Sequence, residues 1–260
     1  MRAVFAPLQL AWPLAKRDLL SRYRGSIFGV LWALLAPLVM VAVYALVFQG
    51  VFNARWSPRD QGGADYALRL FAGLIVFSAV AEVASRATRL MADNANLVKR
   101  VVFPLELLSV ALVMQVGVHV LLQSAVLMLL SLAMGPGIGP SWLWLPLAWA
   151  WLAVLLFTVA MALAALGCYL RDLQHIVPVA TTGLLFLSPV FYAADTAPQA
   201  LRWVLQLNPV SAPIDLARAA WFGDALRLSE LWPQAAALPL LAYGALRLFQ
   251  RLRPGFADLV

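Results

Sequence analysis

Residue types that do chemistry are scarce in this chain, and those present do not fall into catalytic spacings. The only lysines are Lys16 and Lys99. Neither follows a Gly-x-x-x-x-Gly loop, so the phosphate cradle of a P-loop ATPase is missing. The run Gly135-Pro136-Gly137-Ile138-Gly139 has glycines but neither a lysine nor a phosphate-binding helix after it, and reads as a turn. Asp195, Asp215, Asp224 and Glu230 are scattered, and no Asp-x-Asp pair supplies the metal site of a glycosyltransferase. Two histidines and one cysteine make neither a metal cluster nor an intrachain disulfide. Cys168 lies in an apolar run and reads as a small packing residue. The expectation is no catalytic residue, no metal site and no cofactor held by this chain.

The remaining candidates bind rather than react. Gln115, His119 and Gln123 recur every four residues and share one helical face. Polar groups deep in a membrane must find protein partners or line a wet cavity, and interhelical hydrogen bonding is the expected role here. Tyr44, Phe48 and Phe52 form one aromatic stripe, and Phe186, Phe191 and Tyr192 form a second. From the residues alone, an interfacial belt and the lining of a transport path are equally open. Asn94-Ala95-Asn96-Leu97-Val98-Lys99-Arg100 is a short loop, polar at its start and basic at its end, suited to docking another protein.

These residues are positioned by membrane helices. The chain is 63% hydrophobic and 12% charged over 260 residues, whereas soluble domains are about half apolar and a quarter charged. The apolar residues fall in runs near the roughly 20 residues that cross a bilayer. The expected fold is an all-α integral membrane domain over 1–260. It has an amphipathic interface helix at 8–24, spans at 27–51, 67–90, 105–133, 142–170, 176–194 and 231–246, and an external re-entrant segment at 195–230. On the interface helix, Leu8, Trp12, Ala15, Leu19 and Tyr23 share a face, and Pro13 is a candidate break. Pro37 is a candidate kink, and Pro178 and Ser188-Pro189 interrupt the fifth span. Glu82 and Arg86 stand one helical turn apart and can pair. Of the 19 basic residues, Arg55, Arg59, Arg69, Arg202, Arg218 and Arg227 fall on one side and the rest with the termini. By the positive-inside rule both termini are cytoplasmic. The formal net charge of +7 clusters beside the spans, so nucleic acid is not the expected partner.

Arg22-Tyr23-Arg24-Gly25-Ser26-Ile27-Phe28-Gly29-Val30-Leu31-Trp32, with Pro37, resembles the entry motif of type-2 ABC exporter permeases, in particular the O-antigen, capsule and teichoic acid group. Asn96-Leu97-Val98-Lys99-Arg100 leading to Phe103-Pro104, Arg171-Asp172, and Asn208-Pro209 with Arg218 and Gly223 follow in the family's order. The resemblance implies a permease subunit working as a homodimer in the bacterial inner membrane. Two separate ATP-binding subunits would carry ATP and Mg, and a lipid-linked polysaccharide would be the cargo, O-antigen-like before capsule or teichoic acid. A drug or small lipid is the alternative cargo. It further implies docking of the ATPase at Asn96, Lys99 and Arg100, and a cytoplasmic entrance at Arg22 and Arg24. There a guanidinium suits a lipid pyrophosphate or anionic membrane lipids. The resemblance turns the open question on the aromatics toward the channel: Tyr44, Phe48, Phe52, Phe186, Phe191 and Tyr192 would line the glycan path.

Overall fold

A computed structural model describes residues 11–18, 28–51, 56, 63–99, 103–134, 139–194, 197–224 and 228–260. Every regular element among them is helical. Helix α1 covers 11–18. A 3₁₀ turn, Gly29–Leu31, leads into α2, Trp32–Ala45, which widens into a π-helical turn at Leu46–Val51. Then come α3 (Gly63–Ala87), the short turns α4 (Leu90–Asp93) and α5 (Ala95–Val98), and α6 (Glu106–Met134). A 3₁₀ turn at Pro140–Trp144 opens α7 (Leu145–Tyr169), and α8 (Leu173–Phe186), α9 (Gln199–Leu207) and α10 (Ser211–Phe222) follow. Helix α11 (Leu228–Leu252) ends in a 3₁₀ turn and the terminal α12 (Phe256–Leu259).

Among the described residues, three helices are long and apolar enough to cross a membrane: Ala64–Ala87, Glu106–Met134 and Pro140–Tyr169. At 1.5 Å per residue, each exceeds the roughly 30 Å hydrocarbon thickness. Helix α3 is the centre of the bundle, packing on α2, α6, α7, α8 and α10. Two-thirds of its apolar stretch is buried, against one-third for α6. In lipid, helices gain little from burying leucine, so close approach through small residues decides which faces meet. Gly167 of α7 illustrates this: a Cβ there would stand 2.1 Å from the Thr88 carbonyl oxygen. The interface helix follows the same rule. Ala11 and Ala15 pack on Leu107 and Ala111 of α6, while Trp12 stays exposed. Of the expected face, Ala15 is buried as anticipated and Trp12 is not; Ala11 joins Ala15 against α6. Pro13 is a candidate break that does not break the helix: the described part runs helical from 11 to 18 through it.

The expected fifth span differs most from expectation. Helix α8 starts at Leu173, passes through Pro178 and stops at Phe186, about 21 Å long. Turns continue from Leu187 to Tyr192, so Ser188-Pro189 breaks the helix and Pro178 does not. A helix end leaves carbonyls that nothing in lipid can satisfy, and here side chains from distant elements take them one by one. Tyr192 OH donates to the Phe186 carbonyl (3.2 Å) and Asn208 Nδ2 to that of Leu187 (3.2 Å). Arg218 donates through Nη1 to the Pro189 carbonyl and through Nη2 to that of Val190 (2.7 Å). Tyr66 OH donates to the carbonyl of Phe191 (3.0 Å).

Segment 195–230 contributes α9 and α10 to this arrangement. Nearly all of α10, from Ser211 to Trp221, is buried except Asp215. It ends at Gly223 in the left-handed conformation (φ 70°), with Trp142 Nε1 donating to the Trp221 carbonyl (3.0 Å). Arg218, 3% exposed, projects from α10 onto α3. Its Nε donates to the Arg69 carbonyl (3.2 Å), and the Trp56 ring lies 4.0 Å from its guanidinium carbon. Gly73 makes the room, since a Cβ there would meet Arg218 Nη2 at 2.6 Å. Arg69 itself pairs with Asp65 (2.9 Å) and Asp224, tying the start of α3 to the end of α10.

Replacing Arg218 with Met leaves the carbonyls of Pro189 and Val190 without donors, each worth about 1–3 kcal/mol when buried, and takes a second donor from the Arg69 carbonyl, which keeps its helical bond in α3. Arg218→Met should therefore lower the melting temperature of the detergent-solubilised protein sharply, and Gly73→Ala should lower it less. Unchanged melting of Arg218→Met would mean that the break in α8 is held by other contacts.

Candidate functional site

Among the described residues, two cavities lie end to end along α3. The first, about 400 Å³, is a groove between α2, α3, α6 and α8. Helix α2 supplies Trp32, Ala36, Met40 and Tyr44 at four-residue intervals, with Pro37 beside them. Helix α3 supplies Phe71, Leu74, Phe77, Ser78 and Ala81, and α8 supplies Leu185. Apart from Ser78 and the Tyr44 hydroxyl, the groove turns polar at Glu82, His119 and Gln123. The second cavity, about 440 Å³, is lined by Arg17, Asp18, Arg86, Leu90, Asp93, Asn94 and Gln115.

One hydrogen-bonded layer separates them. Glu82 accepts from Arg86 Nη1 (3.1 Å) and lies 3.3 Å from His119 Nδ1. Arg86 Nη2 donates to Gln115 Oε1 (2.7 Å). Glu82 and Arg86 pair one turn apart, as their spacing predicts, with Arg86 in the last turn of α3, where a cation suits the helix dipole. Gln115 and His119 are almost fully buried and bond across to α3, while Gln123 faces the groove. The three therefore divide between the two roles open for that face.

The sequence-predicted aromatics meet at the opposite end of the groove. Phe191 stacks on Phe48 (4.6 Å between centroids, 15°), meets Tyr44 edge-on (5.2 Å) and lies 5.6 Å from Phe186. Tyr192 joins through its bond to the Phe186 carbonyl. Stripes 140 residues apart in sequence thus form one knot, of which Tyr44 lines the groove. Phe52 lies outside the described residues, as do Arg22, Arg24 and Arg100. Asn96 and Lys99 are exposed at the α5 turn, which rests on α12. There Phe256 is fully buried between Phe249 and Tyr169. The stretch 93–100, expected as a loop, is largely helical turn.

Sequence reasoning passed over Tyr66 and named Asn208 and Arg218 only as motif residues, without their part in holding the α8 break. A lone arginine among the small apolar residues of α10 was the available signal. Among the described residues, no group of His, Cys, Asp and Glu could hold a metal ion.

The arrangement thus comprises an apolar aromatic groove, a polar cavity and a charged layer between them. The family profile described as ABC-2 type transporter matches residues 9–222. The O-antigen export system permease protein RfbA of Klebsiella pneumoniae is 25% identical over 248 residues, covering 95% of this chain and 93% of that protein. The protein of the same name from Myxococcus xanthus is 29% identical over 248 residues, covering 94% and 93%. The profile runs from just before α1 to the last residue of α10 and so takes in the groove, the cavity and the Arg218 contacts: the chain is an integral membrane protein of the ABC-2 type transporter family.

Proposed function

We propose that this chain is the channel-forming transmembrane subunit of an ABC exporter that moves a lipid-linked polysaccharide, O-antigen-like, across the cytoplasmic membrane of a bacterium. The observation that carries this reading is similarity to O-antigen export permeases along 93% of their length. Two copies of the chain form the channel. Two separate ATP-binding subunits, with ATP and Mg, drive it from the cytoplasmic side.

In this reading α2, α3, α6, α7, α8 and α11 are the six spans and both termini are cytoplasmic. Helices α9 and α10 form the external re-entrant segment. Helix α1 lies in the headgroup layer, and Arg22 and Arg24 beyond it meet the pyrophosphate of the arriving lipid. Asn96, Lys99 and Arg100 receive the ATPase. Tyr44, Phe48, Phe52, Phe186, Phe191 and Tyr192 line the path of the glycan, where flat rings offer sugars weakly selective contacts. A drug or small lipid is the second reading of the cargo, favoured by a groove volume in the range of small-molecule pockets, about 300–1,000 Å³.

Deleting the gene should abolish surface glycan and leave undecaprenyl-linked glycan inside the cell. Normal surface glycan in a clean deletion overturns the reading, and retention of a drug or lipid instead selects the second cargo. Arg22→Ala with Arg24→Ala should reduce export about tenfold or more, as expected for lost charge-assisted contacts, while membrane insertion stays intact. Asn96→Ala, Lys99→Ala and Arg100→Ala together should remove the ATP-binding subunit from mild-detergent pull-downs.

A further inference from the structure

The polar cavity beside α1 has a lining that separates two parts of an amphipathic cargo. Among the described lining residues, Arg17 and Arg86 bring two formal positive charges and Asp18 and Asp93 two negative ones, which sum to zero. Arg17 is already paired with Asp18 (3.0 Å), and Arg86 with Glu82 from the layer behind it. A diphosphate entering here would meet as many carboxylates as guanidinium groups, and like charges at such distances repel. A neutral, hydroxyl-rich ring meets the reverse situation. Each hydroxyl both donates and accepts, and the walls offer acceptors on Asp18 and Asp93, donors on Arg17 and Arg86, and both on the amide of Asn94.

Gln115 gives an independent indication. It is 1% exposed, it lines this cavity, and its Oε1 is taken by Arg86. Its Nε2 donates to nothing, and a buried donor without a partner costs about 1–3 kcal/mol. An acceptor brought to the Arg86–Gln115 wall relieves that cost. The neighbouring groove has the opposite character, with aromatic and aliphatic walls, and the two share the Glu82–Arg86–Gln115–His119 layer.

We infer that this cavity is a carbohydrate subsite that takes sugar rings of the exported molecule and not its phosphate, with Asp93, Asn94, Arg86 and Gln115 as the recognising groups. The substrate class rests on the proposed function; the exclusion of phosphate rests on the charge count alone. The subsite thereby becomes a place where the permease itself selects the glycan.

The test uses the full-length protein in lipid nanodiscs. The probes are oligosaccharide released by mild acid from the host strain's own glycan lipid, inorganic pyrophosphate and maltohexaose. The released oligosaccharide should bind, and pyrophosphate in excess should not displace it. Asp93→Ala, on the exposed rim, should weaken binding about tenfold, as expected for one lost charge-assisted hydrogen bond. Gln115→Met should weaken it similarly, and Asp93→Ala keeps the test decisive should the buried substitution fail to fold. Weaker binding of maltohexaose supports selection among glycans at this subsite; equal binding overturns that selection. Displacement by pyrophosphate, or affinity unchanged in Asp93→Ala, overturns the inference. A wild-type protein that restores surface glycan to the deletion strain but binds no oligosaccharide overturns the subsite alone. A deletion strain with normal surface glycan overturns the export reading, whatever the nanodiscs bind.

Discussion

A membrane interior supplies no hydrogen bonds, so any backbone that leaves the helix must find its partners within the protein. This constraint governs the bundle. Helix α8 stops at Phe186, and the five carbonyls from Phe186, Leu187, Pro189, Val190 and Phe191 are taken by Tyr192, Asn208, Arg218 and Tyr66. Arg218 matters most because one guanidinium closes two of these and a third carbonyl on α3. Gly73, which admits it, lies ten residues into α3, about 15 Å along the axis. A buried arginine is costly, and the cost is offset because the group spends its donors on carbonyls that would otherwise be stranded.

The same constraint orders the site. The end of α8 carries Phe186 and Phe191 to Tyr44 and Phe48, so the aromatic knot exists because the helix breaks where it does. At the other end of α3, charge is handled by mutual pairing. Glu82, Arg86, Gln115 and His119 bond to one another in a layer, leaving the groove apolar on one side and the cavity polar on the other. Polar and apolar compartments are thus separated by a few side chains.

Much of this was legible in the sequence where the pattern is local. The Glu82–Arg86 pair follows from i,i+4 spacing, the shared face of Gln115 and His119 from the helical period, and the break in α8 from Ser188-Pro189. The apolar runs near 201–207 and 212–222 mark α9 and α10. What was not legible depends on contacts without a period. Arg218 reads as one more basic residue on the outer side, because its partners are carbonyls of Arg69, Pro189 and Val190, and a carbonyl leaves no trace in residue type. The face of α1 was read only in part for a related reason. Ala15 was placed on it correctly, but hydrophobicity adds Trp12, whereas close packing on α6 selects Ala11. The helical turns at 90–98 escape notice because two four-residue helices carry too little periodicity to register.

The remote closure of the α8 break also sets an order of manufacture. The carbonyls of Leu187, Pro189 and Val190 are synthesised 21 to 29 residues before Asn208 and Arg218 exist. At typical elongation rates that interval is on the order of seconds. During it, those carbonyls lack the side chains that take them in the folded chain. The break is closed only once α10 has been made, so α8 and α10 reach their final packing together. A substitution at Arg218 would then be felt first as a fault of assembly and quality control, before any finished transporter could reveal it.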